Sequence, residues 1–421
     1  MQGALDGVHV LDCSQIIAGP LASSLLAEMG ADVIKVEPLA GEPWRLQAEF
    51  IPKESRGYIS QNRSKRGIAI DLKRPEVAPV REKLLRWADV LLTNYRPGVA
   101  AALGVDYESA KAVRPDIIYC ENTAFGTRGP HAQRRGYDII AQAMSGLATA
   151  TQIINERGVP VIQQGAPADI TTGFAMAWAI TGALYHRERT GEGQRIDASL
   201  LLSALFLQAA FKEITALDAE PRRQRLERLA AARARGATMA EIYAERREAM
   251  PERAGNIYYR IYKTKDSYLA VGCLGPGPRE RFRKALGITD PRYDPGFAGT
   301  PQEAAAAGWA LVDVCEAKFL ERTTTEWVQH LDGYDVACGP VNFTDELWED
   351  PQVLENGYIA EYEHTLLGHM RGAIPPVRMS ATPLRVQRAS PALGEHTDEV
   401  LAELGISGDE IAALRGAGVI L

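Results

Sequence analysis

One carboxylate stands out for where the chain puts it. In Gly165-Ala-Pro-Ala-Asp169-Ile-Thr-Thr-Gly173, Pro167 bars helix just before Asp169. Phe174, Trp178, Ile180 and Leu184 then recur at roughly helical spacing toward Arg189-Thr-Gly191-Glu-Gly193-Gln194. The pattern predicts a buried helix with Asp169 at or near its N-cap, where first-turn amides and the helix dipole favour the ionised form. Two readings are open: a carboxylate that only caps the helix, and a carboxylate that reacts.

Other chemistries find less support. Cys13, Cys120, Cys273, Cys315 and Cys338 lie far apart with no CxxC pair and no matching histidine spacing, which argues against a zinc site and a disulfide framework. The seven histidines form no H-E-x-x-H and precede no nucleophile elbow, so metal and triad chemistry are disfavoured. Glu37, about twenty residues past the turn Ser14-Gln-Ile-Ile-Ala-Gly19-Pro20, invites a nicotinamide-dependent oxidoreductase as an alternative. The G-x-G-x-x-G fingerprint is absent, and so is a Walker A loop.

The elements that must carry these residues read as alternating strand and helix. Val8–Asp12, Gly19–Gly30 and Asp32–Glu37 form a βαβ unit. Strands are predicted at Gly67–Leu72, Val90–Thr93 and Ile117–Cys120, and helices at Pro79–Trp87, 170–189 and Ala198–Thr215. The expected fold class is α/β, a doubly wound, Rossmann-like parallel sheet with ligands beyond the carboxyl ends of its strands, joined to a smaller α+β domain. From Pro221 to Arg253 arginines mix with Glu and Ala, which suits an exposed helix or linker. Tyr258–Lys263 and Ser267–Gly272 have β character, with a turn at Gly275-Pro-Gly-Pro278. Helices follow near Pro301–His330, then short strands and a last helix, Asp398–Leu404. The expected large domain is 1–220 plus 331–421, and the linker helices and small domain are 221–330.

A chain of 421 residues, 46% hydrophobic, exceeds one ordinary core. A net charge of −7 offers no whole-chain footprint for nucleic acid. No run of about 18 apolar residues suggests a membrane span. The opening Met1-Gln-Gly-Ala-Leu-Asp-Gly lacks a charged, apolar leader, so a soluble, unprocessed, cytoplasmic protein is expected.

A series of ordered blocks adds to this. They are Leu5-Asp-Gly-Val-His-Val-Leu-Asp12, Ala18-Gly-Pro20, Gly30-Ala-Asp-Val-Ile-Lys-Val-Glu37, Asn62 with Lys65-Arg66 and Ile70-Asp-Leu-Lys73, Asn94-Tyr-Arg-Pro-Gly98, Phe125-Gly-x-x-Gly-Pro130, Gly136-Tyr-Asp138, Ala168-Asp169, Thr190-Gly-x-Gly-Gln194 and Leu393-Gly-Glu-His-Thr-Asp398. Over nearly its whole length the chain resembles the family III CoA-transferases, relatives of formyl-CoA transferase and carnitine CoA-transferase. The resemblance implies that Asp169 is a nucleophile that forms acyl-aspartyl anhydride and aspartyl-CoA thioester intermediates. It also implies an acyl-CoA and a carboxylic acid as substrates, no permanently bound cofactor, and an interlocked homodimer.

By the same resemblance Ala18, Ile70, Lys73, Asn94, Tyr95 and Arg96 fall at CoA-binding positions, with Lys73 and Arg96 suited to phosphate. Gln15, Ile17 and Tyr137 fall near the acyl group. Pro38 and Ala102 stand where formyl-CoA transferase has arginines, so Arg45 or Arg96 is expected to substitute. Tyr137 stands where α-methylacyl-CoA racemases of the same fold carry a basic histidine. A tyrosine with an ordinary pKa near 10 is a poor base, which separates the transferase from a racemase-like alternative.

Overall fold

The computed structural model describes residues 3–208, 211–248 and 255–421, with Glu248 described only in its backbone. Residues 209 and 210 of the expected helix Ala198–Thr215, and 249–253 of the arginine-rich segment, lie outside the described residues. The chain divides into two compact units, Met1–Pro221 with Gly357–Leu421, and Arg222–Asn356.

The larger unit is built on six parallel strands: β1 (His9–Asp12), β2 (Asp32–Glu37), β3 (Arg66–Ala69), β4 (Val90–Thr93), β5 (Ile118–Thr123) and β6 (Arg195–Ser199). Their spatial order is β3-β2-β1-β4-β5-β6, so the winding reverses between β1 and β4. In sheets of this order the crevice beyond the carboxyl ends at the reversal takes ligands.

Consecutive residues feed opposite faces of the sheet. Leu11, Ile34 and Leu91 enter one apolar cluster while Val10, Val33, Val90 and Leu92 enter the other. Each such side chain contributes about 1.5–3 kcal/mol when fully buried. The second cluster is completed by α1 (Ala18–Glu28) and by the long helix α3 (Pro167–Thr190), through Ala22, Leu25, Leu26, Met176, Ile180 and Leu184. Between them in sequence lies α2 (Asp138–Ser145), and α4 (Leu200–Phe206) follows β6. The first cluster takes in Val400, Leu401, Ile406, Ile411, Val419 and Ile420, and Ile70 bridges Ile420.

Several boundaries differ from expectation. Arg195–Ser199 is a sixth strand that the sequence reading left out, and Ser199 then caps α4 by accepting from the Leu202 amide. The helix α3 is buried on one face only: Ile180 and Leu184 are covered, whereas Phe174 and Trp178 are exposed.

The smaller unit has an antiparallel sheet of Tyr259–Lys263, Tyr268–Gly272 and Cys338–Pro340 around a core that includes Tyr262, Phe282 and Phe319. Because Cys338–Pro340 pairs with Tyr268–Gly272, the smaller unit runs on to Asn356 and the return comes at Gly357, not at 331. Gly275-Pro-Gly-Pro278 is a helix start, with Pro276 opening Pro276–Leu286, since proline suits the first turn of a helix. A further helix, Gly408–Gly416, was not anticipated; its Ser407–Glu410 capping box was the readable signal. Among the described residues no helix is long and apolar enough to cross a membrane.

Candidate active site

A cleft of about 620 Å³ opens at the carboxyl ends of the strands. Gln15 and Ile16 line it after β1, Pro38 after β2, Ile70 to Lys73 after β3, Asn94 to Pro97 after β4 and Asn122 to Ala124 at the end of β5. Asp169 lies in its wall with Tyr137, and Arg134 and Arg135 join Lys73 and Arg96 as its cations.

Asp169 lies near the N-cap, as expected, without being the cap. Ala166, held at φ 50°, caps α3, Pro167 begins it, and Asp169 lies in the first turn. The capping work is done from outside: Asp138 Oδ1 accepts the backbone amides of Ala168 (2.8 Å) and Asp169 (3.2 Å). Gln142 fixes Asp138 by donating to Oδ2 at 2.5 Å, and its amide group also bonds the Gln163 backbone in both directions. With its own amide satisfied by Asp138, the Asp169 side chain is released from capping and left available to the cleft.

Its electrostatics follow from that neighbourhood. Burial, and then the nearby Asp138 charge, push the Asp169 carboxyl up to about 7. The helix-start argument alone predicts the opposite direction. Desolvation and a like charge outweigh the dipole here.

The helices α1 and α3 approach closely. A Cβ at Gly173 would come within 2.9 Å of the Ala18 carbonyl oxygen and of Leu21. The turn leading into α1 is fixed residue by residue. Lys35 Nζ donates to the Ser14 carbonyl at 2.5 Å. Asn94 accepts the Gln15 amide at 2.8 Å and donates to the Gln15 carbonyl at 2.6 Å. Glu42 accepts the Ile16 amide at 2.9 Å. Ile16 has φ 73°, a conformation that costs a β-branched residue on the order of 1–3 kcal/mol and persists only when its surroundings enforce it.

Beneath the turn lies a buried ionic cluster. Lys65 meets Asp12 at 3.0 Å, Lys35 lies 3.8 Å from Asp12 and 3.7 Å from Glu42, and Arg45 pairs with Glu37 at 2.7 Å and Glu54 at 2.8 Å. Two expectations change as a result. Arg45 is fully buried and committed to these carboxylates, so it is not available to replace a missing phosphate-binding arginine. Both Glu37 oxygens are occupied, one by Arg45 and Tyr58 and the other by Arg45 and the Glu42 amide. That leaves no carboxylate for a nicotinamide ribose.

Of the residues expected in the site, Gln15, Ile70, Lys73, Asn94, Tyr95, Arg96, Tyr137 and Asp169 line the cleft. Lys73, Arg96 and Tyr137 are exposed to it, while Ile70 is almost fully buried. Asn94 differs in role, since its amide is spent on Gln15. Ile17 and Ala18 do not line the cleft; Ile16 takes the expected place of Ile17, and Ala18 is buried. Sequence reasoning missed Asp138, Glu42, Arg134 and Arg135. Asp138 had a signal in Gly136-Tyr-Asp138, and the Arg134-Arg135 pair directly precedes it.

Comparison with known proteins bears on this arrangement. The chain is 33% identical over 421 residues to human succinyl-CoA:glutarate CoA-transferase, covering 99% of this chain and 90% of the relative. It is 32% identical to formyl-CoA:oxalate CoA-transferase of Rhodopseudomonas palustris strain TIE-1, covering 99% and 97%. A solved CaiB/BaiF family protein from Brucella suis superposes with a TM-score of 0.72 at 29% identity, covering 96% of this chain and all of that one. The profile of CoA-transferase family III matches residues 5–397. The chain belongs to CoA-transferase family III, enzymes that take a CoA thioester as substrate.

Proposed function

We propose that this CoA-transferase moves CoA from an acyl-CoA to a carboxylic acid with Asp169 as the covalent carrier. The observation that carries the reading is the Asp169 carboxylate held in the cleft wall at the strand ends, on a helix start whose amides Asp138 caps. One Asp169 oxygen attacks the thioester carbonyl, the C–S bond breaks, and an acyl-aspartyl anhydride and CoA thiolate result. The thiolate attacks the aspartyl carbonyl and expels the donor acid, which leaves an aspartyl-CoA thioester. The acceptor carboxylate attacks that carbonyl and expels CoA thiolate. The thiolate then attacks the acceptor carbonyl of the second anhydride, which yields the new thioester and restores Asp169. No metal or resident cofactor takes part.

Within this reading Lys73 and Arg96 bind CoA phosphates, Ile70 and Tyr95 flank the nucleotide, and Asn94 supports the site through Gln15. Ala18 assists through its amide, which would donate to the oxyanion at the aspartyl carbonyl. Gln15, Ile17 and Tyr137 belong to the acyl end, with Ile16 facing the cleft. Dicarboxylic acids are the acids proposed, in keeping with the succinate, glutarate and oxalate in the relatives' names. A cytoplasmic homodimer is the proposed working form. Its support is the apolar stripe Phe174, Trp178 and Tyr185 left exposed along α3, together with exposed Leu202 and Phe206 on α4.

The test is turnover of acyl-CoAs with a panel of mono- and dicarboxylic acids in hydroxylamine, with mass spectrometry of peptides containing Asp169. A hydroxamate on Asp169 is expected, and Asp169→Ala should stay folded and lose at least about a thousand-fold in kcat. Near-normal turnover by that variant would end the proposal.

A further inference from the structure

A buried amide side chain stands at the carboxyl end of β5 without a partner. Alternate residues of that strand face the same side of the sheet, and Ile118 and Cys120 enter the apolar cluster that α1 and α3 complete, while Tyr119 enters the other. Asn122 is the next residue in the row of Ile118 and Cys120. The stripe of α3 that packs on the same cluster, Ile180 and Met176, leads back two more turns to Asp169. Both rows open on the cleft, which Asn122 and Asp169 line together, whereas Lys73 follows β3 at the far edge of the sheet. Asn122 is 5% exposed, and its Oδ1 has no hydrogen-bond partner among the described residues. Its neighbours on the strand are engaged: Glu121 pairs with Arg195 at 2.8 Å, and the Thr123 hydroxyl accepts the Gly126 amide at 3.0 Å. Buried acceptors are ordinarily paired, because stripping water from one without replacing it with a donor is costly.

We infer that Asn122 is a specificity-determining residue whose Oδ1 accepts a hydrogen bond from a hydroxyl group on the acid, so that the preferred acids carry a hydroxyl besides the carboxylate that reacts. The inference deepens the proposed function and rests on its assignment of Asp169 as the carrier. An ionised carboxylate has lone pairs and no proton, so a plain acid leaves Oδ1 as it finds it. A hydroxyl supplies the missing donor. Sites built to bond a substrate hydroxyl discriminate strongly against the analogue that lacks it, since the buried group is then left unpaired.

Acids that differ by one hydroxyl test this: succinate against malate, glutarate against 3-hydroxyglutarate, and butyrate against 3-hydroxybutyrate. Each is offered, isotopically labelled, to the purified enzyme with the acyl-CoA donor that turns over fastest, and kcat/KM for the acid is measured by mass spectrometry of the new thioester. In at least one pair the parent should prefer the hydroxy acid by roughly ten- to a hundred-fold. Asn122→Leu, close in shape and without an acceptor, should bring that ratio to about one or below. If the Leu enzyme does not fold, Asn122→Ala is read the same way, and the ratios of the parent stand by themselves. A role in packing scales both members of a pair and leaves the ratio where it was. Ratios of one or less for the parent in every pair, or a ratio that Asn122→Leu does not move, would overturn the inference. An equal loss for both acids with a raised KM for acyl-CoA would overturn it too, and would assign the amide to the pantetheine arm of CoA. Absence of an Asp169 hydroxamate in a parent that still discriminates would end the Asp169 assignment alone, and a hydroxyl preference confined to the butyrate pair would end only the dicarboxylic part of the proposed function.

Discussion

In the proposed mechanism Asp169 attacks as the ionised carboxylate, yet burial and Asp138 hold its carboxyl near 7 instead of the ordinary 3.8. The free enzyme's kcat/KM should therefore fall below neutrality, about ten-fold per pH unit, with an inflection near 7. The stability consequence has the same root. A carboxyl raised in the folded state binds more protons there than in the unfolded chain, so its contribution is complete below about 3.8 and is lost as pH rises to 7. Asp169→Asn should match the parent's melting temperature near pH 4 and exceed it at pH 8, with an upper bound on the order of 4 kcal/mol. Calorimetry at the two pH values checks this; an equal offset at both would mean that ionisation is not the cause. The position of Asp169 was legible because Pro167 and the apolar periodicity mark a helix start. The direction of its titration was not, because it depends on Asp138, thirty-one residues earlier in the chain, and on burial by elements distant in sequence.

At the level of elements, the site depends on how closely two helices can pack. Gly173 allows α3 to lie against the first turn of α1. Gly173→Ala adds a methyl group where the Ala18 carbonyl already stands, and it should lower kcat by about ten- to a hundred-fold while barely moving KM for CoA thioesters. Steady-state kinetics on the folded variant decides this, and an unchanged kcat would show that the approach is not needed. The strands and α1 were legible from their apolar runs and turn residues. Arg195–Ser199 was not: with Arg195 and Asp197 facing outward it reads as polar, and its place comes from pairing with β5. The quoted blocks Asp12, Lys35, Glu37 and Lys65 were visible as text, but only the fold reveals them as one buried ionic cluster under the turn. Phe174 and Trp178 fitted helical spacing equally well, and periodicity does not say which stripe of a helix faces inward.

For the whole molecule, the strand order places the cleft at the reversal between β1 and β4, as the sequence suggested from its alternating strands and helices. The length of the inserted unit was harder to read, because the short strand Cys338–Pro340 joins its sheet only through tertiary pairing. The uncovered stripe on α3 belongs to this scale as well. Trp178→Glu should leave a folded chain and shift its mass in solution from the proposed dimer to monomer, as light scattering after gel filtration would record. Retention of the dimer would place the interface elsewhere.

The bridge between Ile70 and Ile420 carries a consequence for biogenesis. One face of the main sheet is sealed by Val400, Leu401, Ile406, Ile411, Val419 and Ile420, which leave the ribosome after the inserted unit. The inserted unit can complete its core while the older portion of the polypeptide still waits with an open apolar flank. Maturation is therefore ordered from the middle outward, and the nascent chain passes through a stage in which chaperone protection of that flank matters most.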